Sequence, residues 1–162
     1  MAQFTDYIAI VEKAIADSYI SAEPKGLYQP INYTMELGGK RLRPALMLMC
    51  CEAFGTEYTY CINQAVGLEY FHNFTLLHDD VMDNADMRRS RPTVHKKWDV
   101  NTAILSGDTM LSIAYKYMLL SDTEKITGIM DTFNKAAIEV YEGQQYDMEY
   151  EHRTDVTITK YI

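Results

Sequence analysis

Apolar residues recur along the chain mostly at three- and four-residue spacing, the period of helices. Phe4, Ile8, Val11, Ala14 and Ile15 mark one side of a helix over 4–20. Pro24 and Pro30 punctuate the next stretch, and INYTMEL (31–37) reads as a short helix stopped by Gly38 and Gly39. RPALMLMCCEAF (43–54) predicts a helix with Pro44 in its first turn and Gly55 at its end. Residues 61–84 carry one long helical pattern whose only breaker is Gly67. SRPTVHKKW reads as a loop, and 101–120 as a helix apolar on most sides, hence largely buried. Ser121 with Glu124 resembles a capping box opening a helix over about 124–151. No stretch alternates as a half-buried strand would. The expected fold class is all-α, a bundle of long helices, with residues 1–162 forming part of one domain.

Composition narrows the function. Apolar residues make up 48% of 162, enough for a sizeable core. A net charge of −8 argues against a general nucleic-acid binder. Yet eight of the fifteen Lys and Arg fall in two short places: Lys40, Arg41, Arg43, then Arg88, Arg89, Arg91, Lys96, Lys97. Local basic clusters on an acidic chain suit a small anion. Cys50, Cys51 and Cys61 give no disulfide framework and no zinc spacing, so buried reduced thiols are expected. The N-terminus lacks signal-peptide character, and no apolar run is long enough to span a bilayer, so a cytoplasmic protein without stable membrane insertion is expected.

The candidate chemistry lies in LLHDDVMDNADMRRS (76–90). A helical residue turns about 100°, so His72, Asp79 and Asp83 fall in one stripe while Asp80 turns away as a helper. Carboxylates one turn apart repel unless a cation lies between them. Oxygen-only ligands favour Mg²⁺, which takes phosphate oxygens as further ligands. Arginines nearby fit phosphate through paired hydrogen bonds. Taken singly, each feature also fits an ordinary surface; together they point to a diphosphate site. Gln144 and Asp147 share a helix face and would otherwise read as exposed polar surface.

GGKRLRP (38–44), FTLLHDDVMDNADMRRSRPTVH (74–95) and GQQYDMEYE (143–151) together resemble the trans-isoprenyl diphosphate synthases. The resemblance runs along nearly the whole chain. It implies an all-α bundle around a central cavity, assembled as a homodimer. It also implies condensation of isopentenyl diphosphate with an allylic diphosphate (dimethylallyl, geranyl or farnesyl) by Mg²⁺-assisted ionisation, condensation and elimination. By this resemblance Lys40, Arg43, His72 and Arg89 bind the isopentenyl diphosphate. Asp79 and Asp83, with Asp80 beside them, hold Mg²⁺ against the allylic diphosphate. Arg88 contacts that diphosphate, and Gln144 and Asp147 lie on the allylic side. Phe74 and Thr75, just before the aspartates, would set product length, favouring short products of farnesyl or geranylgeranyl size.

Two departures stand out. Ser90 and Arg91 replace the family's usual Gly and Lys. The family's second aspartate-rich motif would fall beyond Ile162, so the chain is expected to be an N-terminal portion, inactive and prone to self-association by itself. Two other readings remain open at this point: a non-catalytic partner subunit, and a metal-dependent phosphohydrolase built on the His78–Asp79 pair.

Overall fold

The computed structural model describes residues 3–161, with side chains through residue 159. The chain divides into two compact units, Met1–Ser121 and Asp122–Ile162. The first contains α1 (Phe4–Asp17), α2 (Lys25–Glu36), α3 (Leu42–Ala53), a 3₁₀ turn (Tyr58–Cys61), α4 (Ile62–Met82), α5 (Val94–Lys97) and α6 (Val100–Met118). A two-strand hairpin, β1 (Met87–Arg88) and β2 (Arg91–Pro92), follows α4. The second unit contains α7 (Thr123–Tyr150) and α8 (Ile158–Tyr161). The all-α expectation holds, and the hairpin is an addition to it.

The central packing is α4 against α6, running antiparallel. Two glycines permit their approach. A Cβ on Gly67 would lie 3.0 Å from Tyr117 Cβ and 3.1 Å from the Ala114 carbonyl. A Cβ on Gly107 would collide with His78 Nε2. Gly67 therefore breaks nothing: it lies inside α4 and serves packing. Gln64 Nε2 donates to the Leu120 carbonyl at 2.8 Å, satisfying one of the orphan acceptors at the end of α6. Tyr70 stacks on Tyr117 with centroids 5.7 Å apart. One face of α6 is buried at Ala103, Ser106, Met110, Ala114 and Met118, while Val100, Ile104, Leu105, Leu119 and Leu120 are exposed. The expectation of a largely buried helix is therefore corrected: only one face of α6 is covered, and its outer side is apolar but exposed.

Several local expectations need correction. The buried stripe of α1 runs through Tyr7, Val11 and Ile15, while Phe4, Ile8 and Ala14 are only half-buried. The second helix begins at Lys25, not at residue 31, and keeps Pro30 inside it. A proline costs a helix one N–H donor. Burial of every side chain from Pro30 to Met35 offsets that loss. The last helix is capped at Asp122, not at Ser121, and no side-chain capping bond forms. The Asp122 carboxylate instead accepts from Lys125 Nζ at 2.9 Å. The cysteines also differ from expectation: Cys51 and Cys61 form a disulfide, joining the end of α3 to the last residue of the 3₁₀ turn before α4, and Cys50 is free and exposed. Proximity across the short turn, invisible in the spacing alone, pairs them. Among the described residues no helix is long and apolar enough to cross a membrane.

Candidate diphosphate site

Three segments of the first unit converge: the glycine loop between α2 and α3, the C-terminal half of α4, and the arginine hairpin. Each is held by identifiable contacts. After α2 the chain passes through Gly38 at φ +75° and Gly39 at φ +155°, backbone that glycine adopts without steric cost. The loop then delivers Lys40, which is exposed, and Arg43 in the first turn of α3.

The hairpin pairs Met87 with Pro92 and Arg88 with Arg91. Its tip, Arg89 and Ser90, has φ of 50° and 62°, the signature of a type I′ turn. Such a turn prefers glycine, so Ser90 occupies a backbone state where glycine would be easier. Two-residue strands are too short to alternate visibly, which is why this segment reads as loop. Tyr33 clamps the hairpin from below. Its hydroxyl donates to the Pro92 carbonyl at 2.8 Å. Lys97 Nζ and the Arg91 guanidinium lie over its ring at 3.8 and 4.7 Å. Thr93 Oγ1 also donates to the Ala85 carbonyl at 2.7 Å.

On α4, His72 is half-buried and faces Arg43, with Nη1 to Nε2 at 3.4 Å. Burial holds its pKa below the usual histidine value, and the charges of Arg43, Arg89 and Arg88 push the same way against the opposing Glu69. The site therefore presents a neutral imidazole among guanidiniums. Partial burial, then the neighbouring Arg41, lower the pKa of Arg89, although arginine stays charged. Cations crowded this way gain from an anion between them.

Asp79 is half-buried, Asp83 exposed and Asp80 buried. Arg88 bridges Asp79 and Asp80, Nε donating to Asp80 at 2.8 Å and Nη2 to Asp79 at 3.1 Å. Burial raises the Asp80 pKa, and the bond from Arg88 opposes that shift. Asp80 thus serves Arg88, and its carboxylate is turned inward, away from the outer stripe. Among the described residues no group of three or more His, Cys, Asp or Glu is placed to hold a metal. Asp79 and Asp83, two hard carboxylates one turn apart, could supply donors to a cation. That suits Mg²⁺, which keeps waters and takes the remaining ligands from phosphate. A narrow crevice is walled by Thr34, Asn73, Leu77, Asp80, Arg88 and Arg89, and Asp80, not Asp79 or Asp83, is the aspartate in its wall.

Other expected residues fall elsewhere. His78 packs against α6, with Nε2 3.2 Å from the Ile104 carbonyl, over Gly107. It is not paired with Asp79 for hydrolysis. Phe74 is buried beside Phe71 and His78, with centroids at 5.9 and 4.7 Å. Thr75 is half-buried and donates to the His72 carbonyl at 2.8 Å. In the second unit, Gln144 is half-buried and Asp147 exposed on α7. Arg41, counted in the basic run expected to suit a small anion, is instead buried, and Glu69 and Asn73, which the sequence does not single out, are buried as well.

The low pKa of His72 carries a sign. Its folded value lies below the unfolded one, so its stabilising contribution is present above about pH 6.5 and is lost as pH falls through the folded value. The wild-type chain is expected to lose more melting temperature on acidification than His72→Asn. Equal acid sensitivity of the two would place the imidazole outside the cationic cluster.

Comparison with known proteins agrees with this geometry. Residues 24–162 match the family described as polyprenyl synthetase. The geranylgeranyl diphosphate synthase of Methanosarcina mazei is 40% identical over 154 residues, 94% of this chain and 48% of that protein. The geranylfarnesyl diphosphate synthase of Natronomonas pharaonis is 35% identical, over 94% and 50%. A crystal structure of a geranylgeranyl pyrophosphate synthase superposes with a TM-score of 0.96 at 46% identity, covering 99% of this chain and 49% of that one. The geranylgeranyl pyrophosphate synthetase structure from Geoglobus acetivorans gives 0.93 at 38%, over 98% and 52%. The chain belongs to the polyprenyl synthetase family, and it spans about half the length of these relatives.

Proposed function

We propose that this chain forms the diphosphate-binding part of a short-chain prenyl diphosphate synthase. The substrates are isopentenyl diphosphate and an allylic diphosphate. The observation that carries this reading is the convergence of Arg43, Arg88 and Arg89 around His72 on the helix that ends in Asp79 and Asp83.

Lys40, Arg43, His72 and Arg89 hold the diphosphate of isopentenyl diphosphate. Arg88, braced by Asp80, holds the allylic diphosphate, while Asp79 and Asp83 supply the carboxylates for Mg²⁺. When bound, the cation neutralises charge on a departing pyrophosphate. The arginines stabilise the same developing charge through fixed donors. The allylic C–O bond breaks with its electron pair going to the pyrophosphate. The π electrons of isopentenyl diphosphate form the new C–C bond at the allylic carbon, and the released pyrophosphate takes the proton that the adduct loses. A phosphohydrolase fits less well, because His78 is committed to α6.

Titration with inorganic pyrophosphate tests the site directly. Binding is expected to be stronger with Mg²⁺ than with EDTA, and Arg89→Ala should weaken it by about tenfold, the loss of a charge-assisted bond. Identical binding with and without Mg²⁺ would remove the metal from the reading.

Phe74 and Thr75 are the proposed limit on product length. Packed interiors tolerate little added volume, so a bulky residue stops a growing tail. In a synthase of the relatives' full length that carries this segment, Phe74→Ala is expected to shift prenyl products, sized by chromatography, toward longer chains. An unchanged distribution would move the limit to another residue.

A further inference from the structure

The run Lys40-Arg41-Leu42-Arg43 contains one arginine that does not face the anion site. Arg41 is 3% exposed and has φ 49°, a left-handed backbone that disfavours non-glycine residues. Its guanidinium is fully engaged from below. Nε donates to Glu12 Oε1 at 2.8 Å, Nη1 to Glu69 Oε1 at 2.6 Å, and Nη2 to the Met35 carbonyl at 2.9 Å. These partners lie on α1, α4 and α2 respectively, so one side chain ties three helices to the start of a fourth. Glu69 is held in turn by Asn73 Nδ2 at 3.1 Å.

The loop anchored in this way carries the cradle. Gly39, two residues before Arg41, lies against the Arg89 guanidinium: a Cβ there would be 3.0 Å from Nη2 and 3.1 Å from Cζ. Arg43, two residues after, reaches His72. The path of the chain through Arg41 therefore fixes a wall for Arg89 and the origin of both Lys40 and Arg43. Stability alone does not account for such a device, since a buried ion pair replaced by well-packed apolar residues is often neutral or stabilising. A lysine could not replace it, because a point charge lacks the planar fork that meets three acceptors.

We propose that Arg41 is a positioning residue for diphosphate binding: its three-helix anchor sets the path of Gly38–Lys40 and so places Arg89, Lys40 and Arg43 around one anion. The proposal rests on the reading of those three residues as diphosphate ligands; Arg41 itself does not touch the anion.

The test uses the double variant Arg41→Met, Glu69→Met, which removes the ion pair without stranding a buried carboxylate. Three measurements are made on it: melting temperature, crystal structure, and affinity for inorganic pyrophosphate with Mg²⁺. The expected result is a melting temperature near that of the wild type, Gly39 displaced from Arg89, and affinity reduced by about tenfold. Should this variant not fold, Arg41→Lys keeps the charge beside Glu69 and is expected to show the same displacement and loss. Gly39 unmoved against Arg89 overturns the proposal, and so does a displaced loop with unchanged affinity. If the wild-type chain itself fails to bind pyrophosphate, the diphosphate reading falls, while the position of Gly39 still decides whether Arg41 sets the loop.

Discussion

Asp79→Ala is expected to abolish the Mg²⁺-dependent part of pyrophosphate binding and, in a synthase of the relatives' full length that carries this segment, to lower prenyl transfer by about 10²–10³-fold, the usual effect of removing a group that stabilises transition-state charge. Asp79 has two connections to that charge. It is one of the two carboxylates on the outer stripe of α4, and it accepts from Arg88 Nη2. Asp83, exposed one turn further on, has only the first. Its loss should remove Mg²⁺ dependence while leaving Arg88 in place. Asp80 lacks the first connection and has only the second, through Arg88 Nε. Because its buried carboxylate holds Arg88 Nε, Asp80→Ala should weaken pyrophosphate binding yet leave the ratio of affinities with and without Mg²⁺ nearly unchanged. Calorimetric titration of the three variants in Mg²⁺ and in EDTA separates these patterns. A wild-type Mg²⁺ response in Asp83→Ala would sink the metal assignment.

That division of labour was half legible in the sequence. The turn of a helix puts His72, Asp79 and Asp83 in one stripe and Asp80 off it, and the structure places Asp80 facing inward as that geometry requires. Periodicity cannot name the partner of an inward residue, so the Asp80–Arg88 pair was not visible. The same limit applies to Lys40, Arg41 and Arg43. A basic run gives no sign of which arginine is buried, because that depends on acceptors at Glu12, Met35 and Glu69 on three other helices. Long helices were legible because their apolar spacing and their glycine or proline terminators agree. The hairpin was not, because its turn uses Arg89 and Ser90 at positive φ in place of glycine. His78 beside Asp79 suggested a catalytic dyad, yet adjacent residues on a helix point about 100° apart. The contact that holds His78 depends on Gly107, on another helix.

Gly67→Val is expected to cost about 2–4 kcal/mol, as overpacking of a tight helix contact does. The neighbours that a side chain would meet decide the magnitude. At Gly107 the obstructing atoms belong to the His78 ring, which can rotate away at the loss of its Ile104 contact. At Gly67 they are a backbone carbonyl and a Cβ, at Ala114 and Tyr117. Neither can move unless the whole helix moves, so α4 and α6 must separate. Separation would loosen the Tyr70–Tyr117 stack and the Gln64 contact to the end of α6. Replacing a helical glycine normally gains part of about 1 kcal/mol in propensity. Valine recovers less of that than alanine, because its χ1 is restricted in a helix. The steric cost therefore wins, and the melting temperature should fall by roughly 5–15 °C. Since α4 carries His72, Asp79 and Asp83, the same variant should also weaken pyrophosphate binding although Gly67 touches none of them. Thermal unfolding and a pyrophosphate titration on one preparation check both effects. An unchanged melting temperature would mean that α4 and α6 are not in contact at Gly67.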